Sequence, residues 1–129
     1  MILLDTHVVA WMNGASRKLS RAAVTAIRRS RSQDGLAISA ISLVELARLI
    51  AANRIEPMGT VEETIEKLVE GIFIRPITTE IAASATFFPY DFPSDPADRT
   101  MAATARVENM PLVTADERIL SCRLLKTIW

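Results

Sequence analysis

Ile2-Leu3-Leu4-Asp5-Thr6-His7 opens the chain, and its reading decides the fold. Three apolar residues make a short strand buried on both faces, as in a parallel sheet. The carboxylate that follows stands at the rim of the core, where losing water is costly unless something pairs with it. Thr6 is placed to hydrogen-bond and orient a carboxylate. His7, the only histidine, reads as a capping or supporting residue.

Outward from this strand the pattern alternates. Val8–Met12 reads as a short helix stopped by Asn13-Gly14. Ser20 caps a helix to about Arg31, Asp34-Gly35 is a turn, and Leu36–Ser39 is a second strand. Ser42 with Glu45 has the capping-box spacing for a helix to about Ala52; Thr60 with Glu63 repeats it for a helix ending near Gly71. Ile72–Pro76 is a third strand and Thr79–Phe87 is helical in pattern. Phe88–Ser94, with two prolines, is an irregular loop. Asp95 caps a helix with Pro96 in its first position, running to about Glu108. Pro111–Thr114, a short helix at Glu117–Ser121 and a strand at Leu125–Ile128 complete the chain. The expected architecture is one α/β domain over residues 1–129, with a central parallel sheet of four to five strands and helices on both faces.

A chain of 129 residues is long enough to bury a core, and 23% charged residues is a common balance for a soluble domain. A single cysteine, Cys122, excludes an internal disulfide and fits a reducing compartment. The N-terminus lacks the basic segment of a signal peptide, and no apolar stretch approaches the ~18 residues of a membrane span. A cytoplasmic protein is expected. Net charge is zero, but residues 1–54 hold 8 Arg and Lys against 3 Asp and Glu, and residues 55–129 hold 7 against 12. Arg outnumbers Lys 12 to 3, which suits bidentate phosphate contacts. Arg17, Lys18, Arg21, Arg28, Arg29 and Arg31 are the candidates for holding a nucleic-acid backbone; a solvated helix face is the alternative.

Four acids, Asp5, Glu45, Asp98 and Asp116, fall where predicted strands hand over to helices. In a parallel sheet those handovers share one edge, where ligands bind. Carboxylates gathered there repel one another unless a hard cation lies between them, and Mg²⁺ and Mn²⁺ favour such all-oxygen sites. Each acid also has a local role open to it: turn residue, capping-box glutamate, first-turn charge on a helix dipole, or helix cap. With one histidine and no cysteine pair, zinc is not expected. Phe87, Phe88, Tyr90 and Phe92 hold four of the seven aromatic residues; they stack bases, pin a loop to the core or line a partner groove.

Asp5-Thr6-His7, Glu45 in Ser-Leu-Val-Glu-Leu, Asp95-Pro-Ala-Asp-Arg99 and Thr114-Ala-Asp-Glu-Arg118 together resemble a PIN-domain ribonuclease, more narrowly a VapC-type toxin of a bacterial toxin–antitoxin pair. The resemblance covers essentially the whole chain. It implies a metal-dependent endoribonuclease cutting single-stranded or loop RNA, with Asp5, Glu45, Asp98 and Asp116 catalytic. Asp5, Asp98 and Asp116 would be the Mg²⁺ ligands, with Mn²⁺ able to substitute, and Thr6 and Thr114 the supporting hydroxyls. Asp95 reads as a cap rather than a ligand. A cognate antitoxin that inserts a segment near the acidic pocket, a homodimer, and a toxin–antitoxin hetero-oligomer are further implications. The alternatives are a PIN-like module that binds RNA or a partner without cutting, and an RNA-processing nuclease outside toxin systems. A haloacid-dehalogenase phosphatase needs a second Asp where His7 stands. A receiver domain needs a phospho-acceptor Asp after a middle strand, where Ser39 stands.

Overall fold

β1 (Ile2–Leu4) is the first strand of the chain and the middle strand of the sheet. A computed structural model describes all residues, 1–129. After β1 come α1 (Thr6–Met12), a 3₁₀ turn at Ser16–Lys18, α2 (Arg21–Ser32), β2 (Leu36–Ser39), α3 (Ile41–Ala51), α4 (Val61–Leu68) and β3 (Ile72–Arg75). The second half runs α5 (Thr79–Ser84), a 3₁₀ turn at Ala85–Phe87, α6 (Pro96–Val107), β4 (Leu112–Val113), α7 (Glu117–Leu120) and β5 (Thr127–Ile128). All strand pairs are parallel, in the order β3-β2-β1-β4-β5.

The pleat sorts side chains to two apolar layers. Ile2, Leu4, Leu36, Ile38 and Val113 face one layer with Val8, Val9, Ala23, Ile27, Leu46, Ile50 and Leu68 from α1 to α4. Leu3, Ala37 and Leu112 face the other with Ile81, Phe88, Phe92, Met101 and Ile119. Burial on both faces is why β1, β2 and β4 carry apolar runs rather than alternation.

Most expected elements form, with corrections at some of their ends. Asp5 caps α1, so that helix starts at Thr6 rather than Val8. Ser42 and Glu45 make no capping box: α3 begins at Ile41 with no side-chain cap. Ser39 Oγ instead accepts from the Ile41 N–H at 3.3 Å, and Ser42 and Glu45 are drawn to Thr6. The helix after Thr60 does have its full capping box, but it stops at Leu68.

The chain builds β1, β2 and β3 in one direction, then returns to add β4 on the other side of β1. The gap beyond the ends of β1 and β4 is therefore the switch point, where crevices form in open α/β sheets. Asp5 follows β1, and Thr114-Ala115-Asp116 follows β4.

Candidate active site

Asp5 is held from both sides and is only 8% exposed. Its backbone N–H donates to Val113 O at 3.0 Å, which ties the end of β1 to β4. Its Oδ1 accepts from the His7 N–H at 3.2 Å, and its Oδ2 accepts from Thr114 Oγ1 at 2.7 Å. Thr114 Oγ1 in turn accepts the Asp116 N–H at 3.1 Å, so one buried hydroxyl links the two acids across the switch point. Asp116 also caps α7, accepting the Arg118 N–H at 2.9 Å.

Glu45 lies on α3, one turn in from its start, and is fixed by Thr6. Thr6 Oγ1 is fully buried and stands 2.6 Å from Glu45 Oε1 and 2.9 Å from Ser42 Oγ. A hydroxyl has one hydrogen. The carboxylate takes it, and Ser42 is left to donate back to Thr6. Thr6 and Thr114 thus each orient one of the expected acids.

Asp98 occupies the first turn of α6, which Asp95 caps by accepting the Ala97 N–H at 2.8 Å. Burial pushes the Asp98 carboxyl up to about 6, helped by the charges of Asp95, Asp5, Glu45 and Asp116. Glu45 is also raised, mainly by burial and then by Asp5 and Asp95, against the lowering pull of its Thr6 hydrogen bond. The four expected acids therefore share one neighbourhood, and Asp95 belongs to it as well as capping the helix. Its proximity was not legible from a cap position alone. His7 Nδ1 is 3.8 Å from Asp5 Oδ1, and hydrogen bonding to Asp5 raises its pKa despite partial burial.

Only Asp5 and Asp116 lie at direct strand-to-helix handovers. Glu45 is within a helix, and α6 follows the loop after the second 3₁₀ turn rather than a strand. No three Asp, Glu, His or Cys side chains are placed to hold a metal ion as they stand. The donor set nonetheless fits a hard divalent cation in its chemistry: it is all carboxylate oxygen, and neighbouring carboxylates help raise Asp98 and Glu45 above their ordinary range.

The basic candidates divide. All six are exposed. The turn at Gln33–Gly35 leads from α2 into the start of β2, so the C-terminal end of α2 lies at the edge where strands begin. Arg28, Arg29 and Arg31 are at that end, away from the carboxylates, whereas Arg17, Lys18 and Arg21 are at the opposite end. The aromatic loop also divides. Phe88 and Phe92 are 5% and 3% exposed, with ring centroids 4.6 Å apart, whereas Phe87 and Tyr90 are 75% and 98% exposed. Arg99, overlooked in the sequence except as part of a motif, fastens this loop. It donates from Nε to Pro93 O at 3.0 Å and from Nη1 and Nη2 to Phe88 O and Pro89 O, each at 3.1 Å.

The PIN domain family profile matches residues 2–123. The chain belongs to the PIN domain family. Nucleases of the PIN family generally use divalent metal ions. A relative, "Ribonuclease VapC22" of Mycobacterium tuberculosis, is 40% identical over 130 aligned positions, covering 99% of this chain and 98% of the relative. Among solved structures, VapBC2 from Rickettsia felis bound to a promoter DNA fragment aligns with a TM-score of 0.75 at 16% identity, covering 98% of this chain and 97% of that one. FitAcB from Neisseria gonorrhoeae aligns with a TM-score of 0.66 at 22% identity, covering 98% and 96%. At those identities the structural likeness speaks for the PIN fold. No helix of this PIN domain is long and apolar enough to cross a membrane.

Proposed function

We propose that this protein is a divalent-metal-dependent endoribonuclease that cuts single-stranded or loop RNA, and that it is the toxin of a toxin–antitoxin pair. The observation that carries the chemistry is the meeting of Asp5, Glu45, Asp98 and Asp116 at one sheet edge, with Asp98 pushed up to about 6. The full-length relationship to a protein named as a ribonuclease supports RNA as the substrate. The partner is a cognate antitoxin seated near the acidic edge, as the toxin–antitoxin complexes among its structural neighbours support. The functional unit on this reading is a homodimer, able to join a toxin–antitoxin hetero-oligomer.

Asp5, Asp98 and Asp116 would hold Mg²⁺, with Mn²⁺ as a substitute, and Glu45 would bind directly or through water. Held there, a divalent cation would supply a lowered pKa for water and stabilisation of charge on the scissile phosphate. Glu45 would accept the proton, and Thr6 fixes the direction of its carboxylate. Thr114 holds the Asp5 carboxylate in place and ties it to the Asp116 backbone. Arg17, Lys18 and Arg21 are the cations on the acidic side that can meet the RNA backbone.

Asp5→Ala and Asp98→Ala test the assignment. Each is expected to lower metal-dependent RNA cleavage by at least about 100-fold while thermal unfolding stays cooperative. Wild-type rates in both variants would overturn it.

A further inference from the structure

A row of rings leads away from the carboxylates. The His7 ring, beside Asp5, lies 6.2 Å from Trp11 at 52°, and Trp11 lies 5.9 Å from Trp129 at 56°. The Lys18 ammonium stands 5.7 Å from the centre of the Trp11 ring. His7, Trp11 and Lys18 line one groove together with Arg54, Glu56 and Met58. Trp129 rests on the apolar layer under α1 to α4, but Trp11 packs against neither layer. A large ring that is partly exposed, outside the core and covered by a cation is poorly explained by folding alone. The His7 side chain is 59% exposed. Arg17, Lys18 and Arg21 form no ion pair with any carboxylate of the chain. Of the cations, Lys18 and Arg54 line the groove with His7 and Trp11, neither in an ion pair, and Glu56 is the one acid there.

We propose that His7, Trp11 and Trp129, with Lys18, form a track for single-stranded RNA leading to the carboxylates, in which rings contact unpaired bases and cations meet phosphates. The inference rests on the ribonuclease reading and extends it to how the substrate is held. Every base presents a π-face, so such a track binds without strict sequence preference and rejects duplex, whose bases are already stacked. The mixture of rings and unpaired cations favours a polyanion with exposed bases over a peptide segment.

The test is intrinsic fluorescence, because Trp11 and Trp129 are the only tryptophans. The full chain is titrated in EDTA with a short single-stranded oligouridine, so that binding is read without cleavage. The expected result is quenching, a Kd weakened about tenfold in Trp11→Leu, near-complete recovery in Trp11→Phe, and no competition from RNA duplex of equal length. An unchanged Kd in a folded Trp11→Leu, equal competition from duplex, or quenching only by an antitoxin-derived peptide would overturn the track. Should Trp11→Leu fail to fold, the exposed Lys18→Ala decides: binding must weaken and its salt dependence flatten. Metal-dependent cleavage is measured separately. Its absence with ring-dependent binding intact fails the nuclease reading alone; its presence with ring-independent binding fails the track alone.

Discussion

One hydroxyl governs Glu45. Thr6 Oγ1 is fully buried at 2.6 Å from the carboxylate, so its loss frees the side chain while leaving Asp5 in place. Thr6→Val keeps the shape and removes the donor. It is expected to lower kcat by roughly 10- to 100-fold with little change in KM, whereas Thr6→Ser retains most activity. Steady-state kinetics on a short RNA reads the difference, and equal kcat for the valine variant and wild type would remove Thr6 from the account. The residue scale is also where the sequence misleads. Ser42 and Glu45 have capping-box spacing, but a contact with a residue in α1 outcompetes the local bond. Long-range pairing of this kind leaves no mark in a local motif.

At the scale of elements, Arg99 joins α6 to the loop that follows the second 3₁₀ turn. Its three bonds go to backbone carbonyls, and its guanidinium lies 5.8 Å from the Phe92 ring centre. A lysine cannot reproduce that fork. Arg99→Lys is expected to cost about 2 kcal/mol in urea unfolding and to speed proteolysis near Phe87–Tyr90. Unchanged stability and cleavage pattern would contradict the fastening role. Gly35 offers a second check: its φ is +100°, and an added Cβ would stand 2.8 Å from the Phe73 ring. Gly35→Ala should therefore lose more than about 1 kcal/mol, read in the same unfolding experiment. Elements with strong local signals were legible: Leu36–Ser39 forms as read, and Thr60 with Glu63 caps α4. The two-residue β5 begins at Thr127 rather than Leu125: its pairing with β4 opens with the Leu112 N–H bond to the Lys126 carbonyl, while the Leu125 N–H turns back to Cys122 O. Where a strand pairs depends on its neighbour, which the local pattern does not contain.

For the whole molecule, the sheet order matters most, since it sets Asp5 beside Thr114-Ala115-Asp116 at the β1–β4 gap, where the packing of α3 and α6 brings the charges of Glu45 and Asp98 close. That convergence was legible from the recurring acids; the helix-borne positions of Glu45 and Asp98 and the split of the arginines between two edges were not, because they follow from how the helices pack. Gathering carboxylates has a cost that pH reveals. Asp98 and Glu45 hold their protons more tightly folded than unfolded, so their contribution is full below about 4 and is lost as pH rises, for Asp98 through about 6. His7 is also raised, and its contribution fades in the same direction at somewhat higher pH. The exposed Asp34 and Glu63 are lowered and act oppositely, losing their contribution as pH falls below about 4. In EDTA the melting temperature should fall between about pH 4 and 7, and Asp98→Asn should flatten that fall. Mn²⁺ should restore the loss most at neutral pH, by about 2.7 kcal/mol at a hundredfold excess over its Kd. A metal-free melting profile that rises over this range would contradict the crowding of the acids.

The most direct test incubates the purified protein with a panel of structured and single-stranded RNAs in Mg²⁺, Mn²⁺ or EDTA, beside Asp98→Ala. The account predicts discrete internal cuts in single-stranded or loop segments that need both a divalent cation and Asp98. Cuts that persist in EDTA, or in a folded Asp98→Ala, would contradict it.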